Sequence, residues 1–192
     1  MRTTHPPTLL VAALGLLLSA PLLMARVEVH IEFDKSFDFS AVRTWAWAPG
    51  GAGQVKMART ADDDPEAMRT HVEPIVVDAI TTMMKERGLA ASADAPLSAR
   101  YYLLLTTGMS AQTIGQFLPA TTAWGLPPFA PATQSLTMMN HGSLVIDLSA
   151  NQTVVWRGVA QARIKPDADL KRRESLLREG VRDLLRRYPP RR

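Results

Sequence analysis

The chain of 192 residues contains no cysteine. This absence excludes disulfide bonds, a thiol nucleophile, cysteine-ligated metals and a lipid-modified cysteine behind an N-terminal signal. Aromatic residues are also few, at 6%, whereas hydrophobic residues make up 46% of the chain. We therefore expect one domain that folds around its own apolar core without covalent cross-links.

Long hydrophobic runs are scarce, and the one that occurs lies near the N-terminus. Residues 8–20 are apolar, follow a short basic stretch and end before Pro21. Such a run suits the hydrophobic part of a signal peptide and is short for a membrane-spanning helix. We expect residues 1–25 to be a signal peptide and the mature protein to be periplasmic or secreted. The alternative is an uncleaved segment that anchors the protein in the inner membrane.

Positive charge is scarce in most of the mature chain and concentrated at its C-terminal end. Residues 26–162 hold 10 Lys and Arg against 13 Asp and Glu, whereas residues 163–192 hold 11 against 5. Because the basic excess is confined to one segment of an exported protein, we expect no nucleic-acid partner.

The apolar patterns predict the element order β-β-α-β-β-β-α. Residues 50–66 are rich in Gly and Asp and are expected to form a connector, and Gly88 is placed to cap the first helix. Pro74 is compatible with that helix only if it begins near Thr70. The order predicts an α+β two-layer sandwich, with a mostly antiparallel sheet and two helices on one face, over residues 26–192. The predicted elements are a strand at 27–34, a turn with a second extended segment at 37–49, a strand at 100–107, a hairpin at 142–158, and helices at about 70–87 and 167–187.

The predicted hairpin carries apolar side chains on both faces, so both faces need a cover. We expect Leu144, Ile146 and Leu148 to face the helices. The opposite face is expected to hold Val145, Val154 and Trp156, with Trp45 and Trp47 as candidates for the same face.

The inserted loop at residues 108–140 is far longer than most connectors and carries several aromatic residues. One expectation is that it folds over the second face of the sheet and packs on Trp156. The other is that the face is a surface for a partner, which the loop frames.

The final helix has an apolar line and a basic side. One interpretation of the basic side is a stripe that binds anionic lipid headgroups. The other is a solvated face with the pairs Glu174–Arg178 and Glu179–Arg182. We favour the second interpretation and expect at most weak contact with a membrane surface. The apolar line is Leu170, Leu177, Val181, Leu184 and Tyr188, and the basic side is Lys171, Arg178, Arg182 and Arg186.

The four histidines do not have the spacing of a metal site. A copper site of thioethers and imidazole at the ends of the long loop is one interpretation, and apolar packing of the methionines is the favoured one. The histidines are His5, His30, His71 and His141, and the methionines are Met109, Met138 and Met139.

Other polar motifs are also weak. Residues 62–64 are three consecutive acids, which fit a solvated turn better than a calcium loop, and the GGAG at 50–53 lacks the Lys of a phosphate loop. Asp34 and Asp38 flank a turn, where short acids bond backbone amides. With a regular hairpin register, Asp147 and Arg157 lie on opposite faces and form no ion pair. We therefore predict no catalytic residue, no metal site and no cofactor.

Three segments resemble the domain of unknown function 4136 family of bacterial envelope proteins. They are FDKSFDFSAVRTWAW at 33–47, GSLVIDLSANQTVVWRGVA at 142–160 and RRYPP at 186–190. The resemblance implies a fold and an envelope location but no established activity. Many members are lipoproteins, and the absence of cysteine departs from that pattern.

The sequence thus predicts a non-catalytic exported envelope protein that binds a protein, lipid or glycan partner through its sheet or its long loop. The alternative is a periplasmic hydrolase with a site beneath residues 108–140. The oligomeric state is left open.

Overall fold

The computed structural model describes residues 27–57, 64–106, 141–163 and 169–190. The expected signal peptide and the long loop at 108–140 lie outside the described residues, so both stay predictions. The strands are β1 (Glu28–Phe33), β2 (Thr44–Trp47), β3 (Gly53–Met57), β4 (Ala90–Ala91), β5 (Leu97–Thr106), β6 (His141–Ala150) and β7 (Thr153–Arg163), and the helices are α1 (Pro65–Glu86) and α2 (Leu170–Leu185).

The sheet is mixed, with the order β1-β7-β6-β5-β2-β4. The long pairings β5–β6, β6–β7 and β1–β7 are antiparallel, whereas β2 and β3 both pair with β5 in parallel. The predicted α+β class is confirmed, and the continuously apolar run at 100–107 lies in the central strand β5.

Strand β3 lies within the segment predicted as a connector, and that prediction was wrong. Its first residue, Gly53, lies beneath the ring of Tyr101, where a Cβ atom would come within 2.3 Å of the ring carbons. Only glycine allows β3 to approach β5 this closely. A glycine that was assigned to a connector is therefore required by packing.

Helix α1 begins earlier than predicted because Asp64 caps it. The Asp64 side chain accepts hydrogen bonds from the backbone N–H groups of Glu66 and Ala67, and Pro65 occupies the first helical turn. Pro74 therefore lies inside the helix, on its exposed side, where it donates no backbone hydrogen bond to the preceding turn. The expected cap at the other end is confirmed: Gly88 follows the helix with φ 79°.

Helix α2 begins after Asp169, whose side chain accepts a hydrogen bond from the Arg172 N–H at 2.7 Å. Val181, Leu184 and Tyr188 are buried as predicted, but Leu170 is 61% exposed because it starts the helix. Leu176 and Leu185, which the predicted line omitted, are buried because α2 packs on α1 as well as on the sheet, and this widens its buried arc.

Both helices pack on one face of the sheet, which we call the helix face. Leu144, Ile146 and Leu148 lie on it, as predicted. The expectation that the tryptophans lie on the opposite face was wrong. Trp156 packs against Tyr188 at 6.1 Å between ring centroids, and Trp45 and Trp47 meet edge to face at 4.9 Å in the same core.

Candidate binding surface

The face opposite the helices, which we call the second face, carries charged and polar residues among apolar ones. In the middle of the sheet it holds Ser143, Val145 and Asp147 of β6 between the side chains of β5 and β7. These three are buried, as are Tyr102 of β5 and Arg157 of β7. Since α1 and α2 lie on the helix face, no described element accounts for this burial.

A bulge in the hairpin brings Asp147 and Arg157 onto the same face. Leu148 pairs with Trp156 and Ser149 pairs with Val154, so Val155 is an additional residue in β7. An added residue reverses the side-chain alternation beyond it. Asp147 therefore faces Arg157, and the prediction that these residues form no ion pair was wrong.

The contact between Asp147 and Arg157 is bidentate. Arg157 Nε donates to Asp147 Oδ1 and Arg157 Nη2 donates to Oδ2, each at 2.5 Å. The two side chains are 3% and 1% exposed. A planar guanidinium that bonds both oxygens of a carboxylate satisfies most of the polar atoms that burial removes from water.

Two more charged residues extend this pair across the sheet. Glu32 of β1 pairs with Arg157, and Arg100 of β5 pairs with Asp147. Arg100 also donates to the carbonyl of Pro49 and bonds the Tyr102 hydroxyl. Glu32, Arg157, Asp147 and Arg100 thus alternate in sign over four neighbouring strands, and we call them the ionic row.

Burial shifts the pKa values of two acidic groups, one in the ionic row and one beside it. Desolvation raises the pKa of the Asp147 carboxyl, and the hydrogen bonds and charge of Arg157 act in the opposite direction. Desolvation also raises the pKa of the Tyr102 hydroxyl, and the Asp147 charge adds to the shift. Both Asp147 oxygens are occupied by Arg157, so this carboxylate is not placed to act as a general base.

An apolar cluster lies beside the ionic row. Tyr102, Leu104, Val145 and Val159 form it on three strands. The exposed side chains of this face lie at its two margins, which we call the rims: Glu28 and His30 of β1 form one rim, and Gln54 and Lys56 of β3 form the other.

The basic side of α2 is partly neutralised by acids. Arg178 bonds Asp78 of α1 at 2.6 Å and Glu174 at 3.1 Å, which confirms one predicted pair. Arg182 lies 3.5 Å from Asp183 in place of the predicted Glu179. These pairs favour the interpretation of this helix side as a solvated face.

The remaining polar motifs are dispersed or act locally. Asp34 and Asp38 accept hydrogen bonds from the backbone N–H groups of Ser36 and Ser40, as predicted for turn acids. His30 and His71 lie exposed on different elements, while His5, the His141 side chain, the loop methionines and residues 62–63 lie outside the described part. In the described ranges, no three His, Cys, Asp or Glu side chains meet as a metal site, and no helix is long and apolar enough to cross a membrane.

Sequence reasoning missed the ionic row because it assumed a regular hairpin. The available signal was chemical: Asp147 and Arg157 are the two charged residues of the hairpin predicted at 142–158. A buried charge needs a partner, so the register that pairs them is preferred over the one that separates them. That register also aligns Leu148 with Trp156 on the helix face.

The chain matches the family described as domain of unknown function (DUF4136) over residues 29–190, and it belongs to that family. No curated protein sequence matches it. Its structure is similar to that of a DUF4136 family protein from Bacteroides thetaiotaomicron, with 15% identity, a TM-score of 0.49 and coverage of 85% of this chain and 96% of that chain.

Two crystal structures of the PelC dodecamer from Paraburkholderia phytofirmans are also similar. One has 9% identity, a TM-score of 0.39 and coverage of 87% of this chain and 100% of that chain. The other, a variant, has 11% identity, a TM-score of 0.38 and coverage of 83% and 95%. At these identities the likeness concerns the fold alone.

Proposed function

We propose that the protein is a non-catalytic, exported envelope protein that binds a protein, lipid or glycan partner through the second face of its sheet. The observation that carries this proposal is the ionic row, which lies on the face that the helices leave to other contacts. Export rests on the apolar run at residues 8–20 and on the envelope location that the family resemblance implies.

The buried and exposed parts of the second face have different tasks in this proposal. The bidentate pair of Asp147 and Arg157 fixes the register of the central hairpin, because a slip by one residue would separate two buried charges. A fixed register holds the rims at constant positions. Gln54 on β3 and Glu28 on β1 then offer exposed polar groups of both amide and acidic character to a partner.

The alternative function is a hydrolase with a site beneath residues 108–140. Those residues lie outside the described part, and the chemistry of the described second face does not favour hydrolysis. Its buried carboxylate, Asp147, is held by Arg157, and Arg100 is held by Pro49 and Tyr102. Each of these charged groups is held by hydrogen bonds to its neighbours, and they are not arranged as a nucleophile and its base.

The proposal is tested by equilibrium binding of the purified protein to three probes: phosphatidylglycerol vesicles, glycans extracted from the envelope, and solubilised envelope proteins. Gln54→Arg places a large cation on a second-face rim, and Thr81→Arg places the same cation on the exposed side of α1. We expect saturable binding to one probe. Gln54→Arg should weaken binding to a protein or glycan at least tenfold by steric block and should strengthen binding to the anionic vesicles at least twofold, whereas Thr81→Arg should leave either within twofold.

Three results would overturn this proposal. The first is the absence of saturable binding to any probe. The second is binding that only Arg182→Glu on α2 weakens, since this places the contact on the basic helix. The third is cleavage of ester, glycosidic or peptide bonds by the purified protein, which is the result that the hydrolase alternative predicts.

A further inference from the structure

Strand β1 lies at one end of the described sheet, and we call its outer edge, with which no strand of the described ranges pairs, the open edge. Its inner edge pairs with β7, and no described strand pairs with its outer edge. The N–H of Asp34 donates to the Val155 carbonyl at 2.8 Å, which fixes the direction of the alternating backbone groups. Val29, Ile31 and Phe33 therefore direct their backbone N–H and C=O groups toward the open edge.

Two possible metal ligands stand beside that edge, on the second face. His30 Nε2 and Glu32 Oε1 are 3.3 Å apart, with side chains 63% and 20% exposed. The other carboxylate oxygen, Glu32 Oε2, has no hydrogen-bond partner among the described residues. Neighbouring ligand atoms on a tetrahedral zinc ion, each about 2.0–2.2 Å from the metal, are separated by about 3.3 Å. The pair already has the spacing of two zinc ligands.

One copy of the chain offers only these two ligands, since no third His, Asp or Glu of the described part completes a site. A second copy can supply the others. If two β1 strands pair antiparallel about a two-fold axis at Ile31, the open-edge backbone groups of each strand bond those of the other. His30 then stands opposite Glu32 of the second copy, in a pair without backbone hydrogen bonds, whose Cα atoms are only about 4.5 Å apart.

The charges of this arrangement make it depend on a cation. The same pairing places Glu28 opposite Asp34 of the second copy, and like charges directly opposite each other repel. A divalent cation at the four-residue cluster offsets this repulsion, and imidazole with carboxylate is a ligand set that suits zinc. We propose that β1 binds Zn²⁺ or a similar divalent metal between two copies of the chain, with His30 and Glu32 of each copy as ligands.

Sedimentation velocity with and without added Zn²⁺ tests this site. We expect a monomer in the presence of chelator and a dimer with zinc, at one zinc ion per two chains. His30→Ala should abolish the zinc-dependent dimer and weaken zinc binding at least tenfold in competition with a chromophoric chelator. The matched control is His71→Ala, which removes an exposed histidine from α1 and should change neither result.

Circular dichroism of His30→Ala should match that of the parent protein, because His30 is exposed. The proposal is overturned if zinc saturates the protein without dimerisation, if the dimer forms equally in chelator, or if His30→Ala binds zinc with unchanged affinity. Loss of the zinc-dependent dimer in His71→Ala would also overturn it, since the site would then lie on α1.

Discussion

Asp147 and Arg157 face each other on adjacent strands and share two hydrogen bonds of 2.5 Å in a buried environment. Their contact exists because Val155 is an additional residue in β7. The bulge and the ion pair are therefore one feature: removal of the bulge would turn the guanidinium into the helix core and leave the carboxylate on the other face.

We predict strong coupling between Asp147 and Arg157. Arg157→Leu alone leaves a buried carboxylate without its main partner, which should lower the free energy of unfolding by about 3–5 kcal/mol. The double variant Asp147→Leu/Arg157→Leu should lose less than the sum of the single variants. Urea denaturation of the four proteins measures the coupling.

A surface pair provides the control for that cycle. Arg69 and Glu73 on α1 are in contact but substantially exposed, at 39% and 28%. Removal of Arg69 should cost no more than about 1 kcal/mol. Additive effects of the Asp147 and Arg157 substitutions would show that the buried contact contributes nothing beyond its separate side chains.

Replacement of Gly158 even by alanine is predicted to lower the stability of the protein. A Cβ atom there would lie 2.5 Å from Cη2 of Trp156 and 2.7 Å from Cδ2 of Leu184. Gly158→Ala should therefore destabilise the protein by about 1–3 kcal/mol through overpacking. Gly180→Ala is the control: its nearest contact is 3.4 Å from the Ala160 Cβ, and alanine favours the helix, so thermal denaturation should show no loss of stability.

Helix α2 should depend on Leu184 and not on Arg182. Leu184 is fully buried, and truncation to alanine should lower the free energy of unfolding by about 2–5 kcal/mol. Arg182 is exposed, and Arg182→Ala should change that free energy by no more than about 0.5 kcal/mol. Equal costs in chemical denaturation would mean that the helix docks by another face.

Alkaline pH should destabilise the protein through Tyr188. Burial raises the pKa of this hydroxyl from 10.0 to about 12. Because the folded state holds the proton more tightly, this contribution to stability is complete below pH 10 and is lost as the pH rises to 12. Tyr188→Phe should show a smaller fall in the free energy of unfolding between pH 9 and pH 12.

At pH 9 the same variant should differ from the parent by no more than about 1 kcal/mol, because the Tyr188 hydroxyl has no hydrogen-bond partner among the described residues. Denaturation curves at both pH values measure the two effects. An equal alkaline loss in parent and variant would assign the titration to another group, such as Tyr101, whose pKa burial also raises to about 12.

The sequence was sufficient to predict the layers of the fold, because they depend on local periodicity. The alternation of β1, the apolar run of β5 and the Leu184 line of α2 each identify an element and its buried side. Strand β3 depends on a contact distant in sequence, the fit of Gly53 under Tyr101, and could not be read in this way. The start of α1 was predicted too late although its signal is local: Asp64 caps the helix six residues before Thr70, and Pro65 follows in the first turn.

The candidate site was predicted least well because one additional residue, Val155, reverses which face the preceding and following side chains of β7 occupy. The tryptophan at 156 and the arginine at 157 exchange faces when Val155 bulges, and no local pattern marks that residue. The rule that buried charges pair selects the observed register, whereas the assumption of a regular hairpin selects the other one.

The central claim, that a partner contacts the second face, is tested most directly by photo-crosslinking in cells. Gln54 on the rim of β3 is replaced by p-benzoylphenylalanine, and Thr81 on the exposed side of α1 is replaced in a parallel strain. We predict a discrete cross-linked adduct from position 54, detected as a mass increase of the protein, and none from position 81. Adducts from position 81 alone, or from neither position, would contradict the claim.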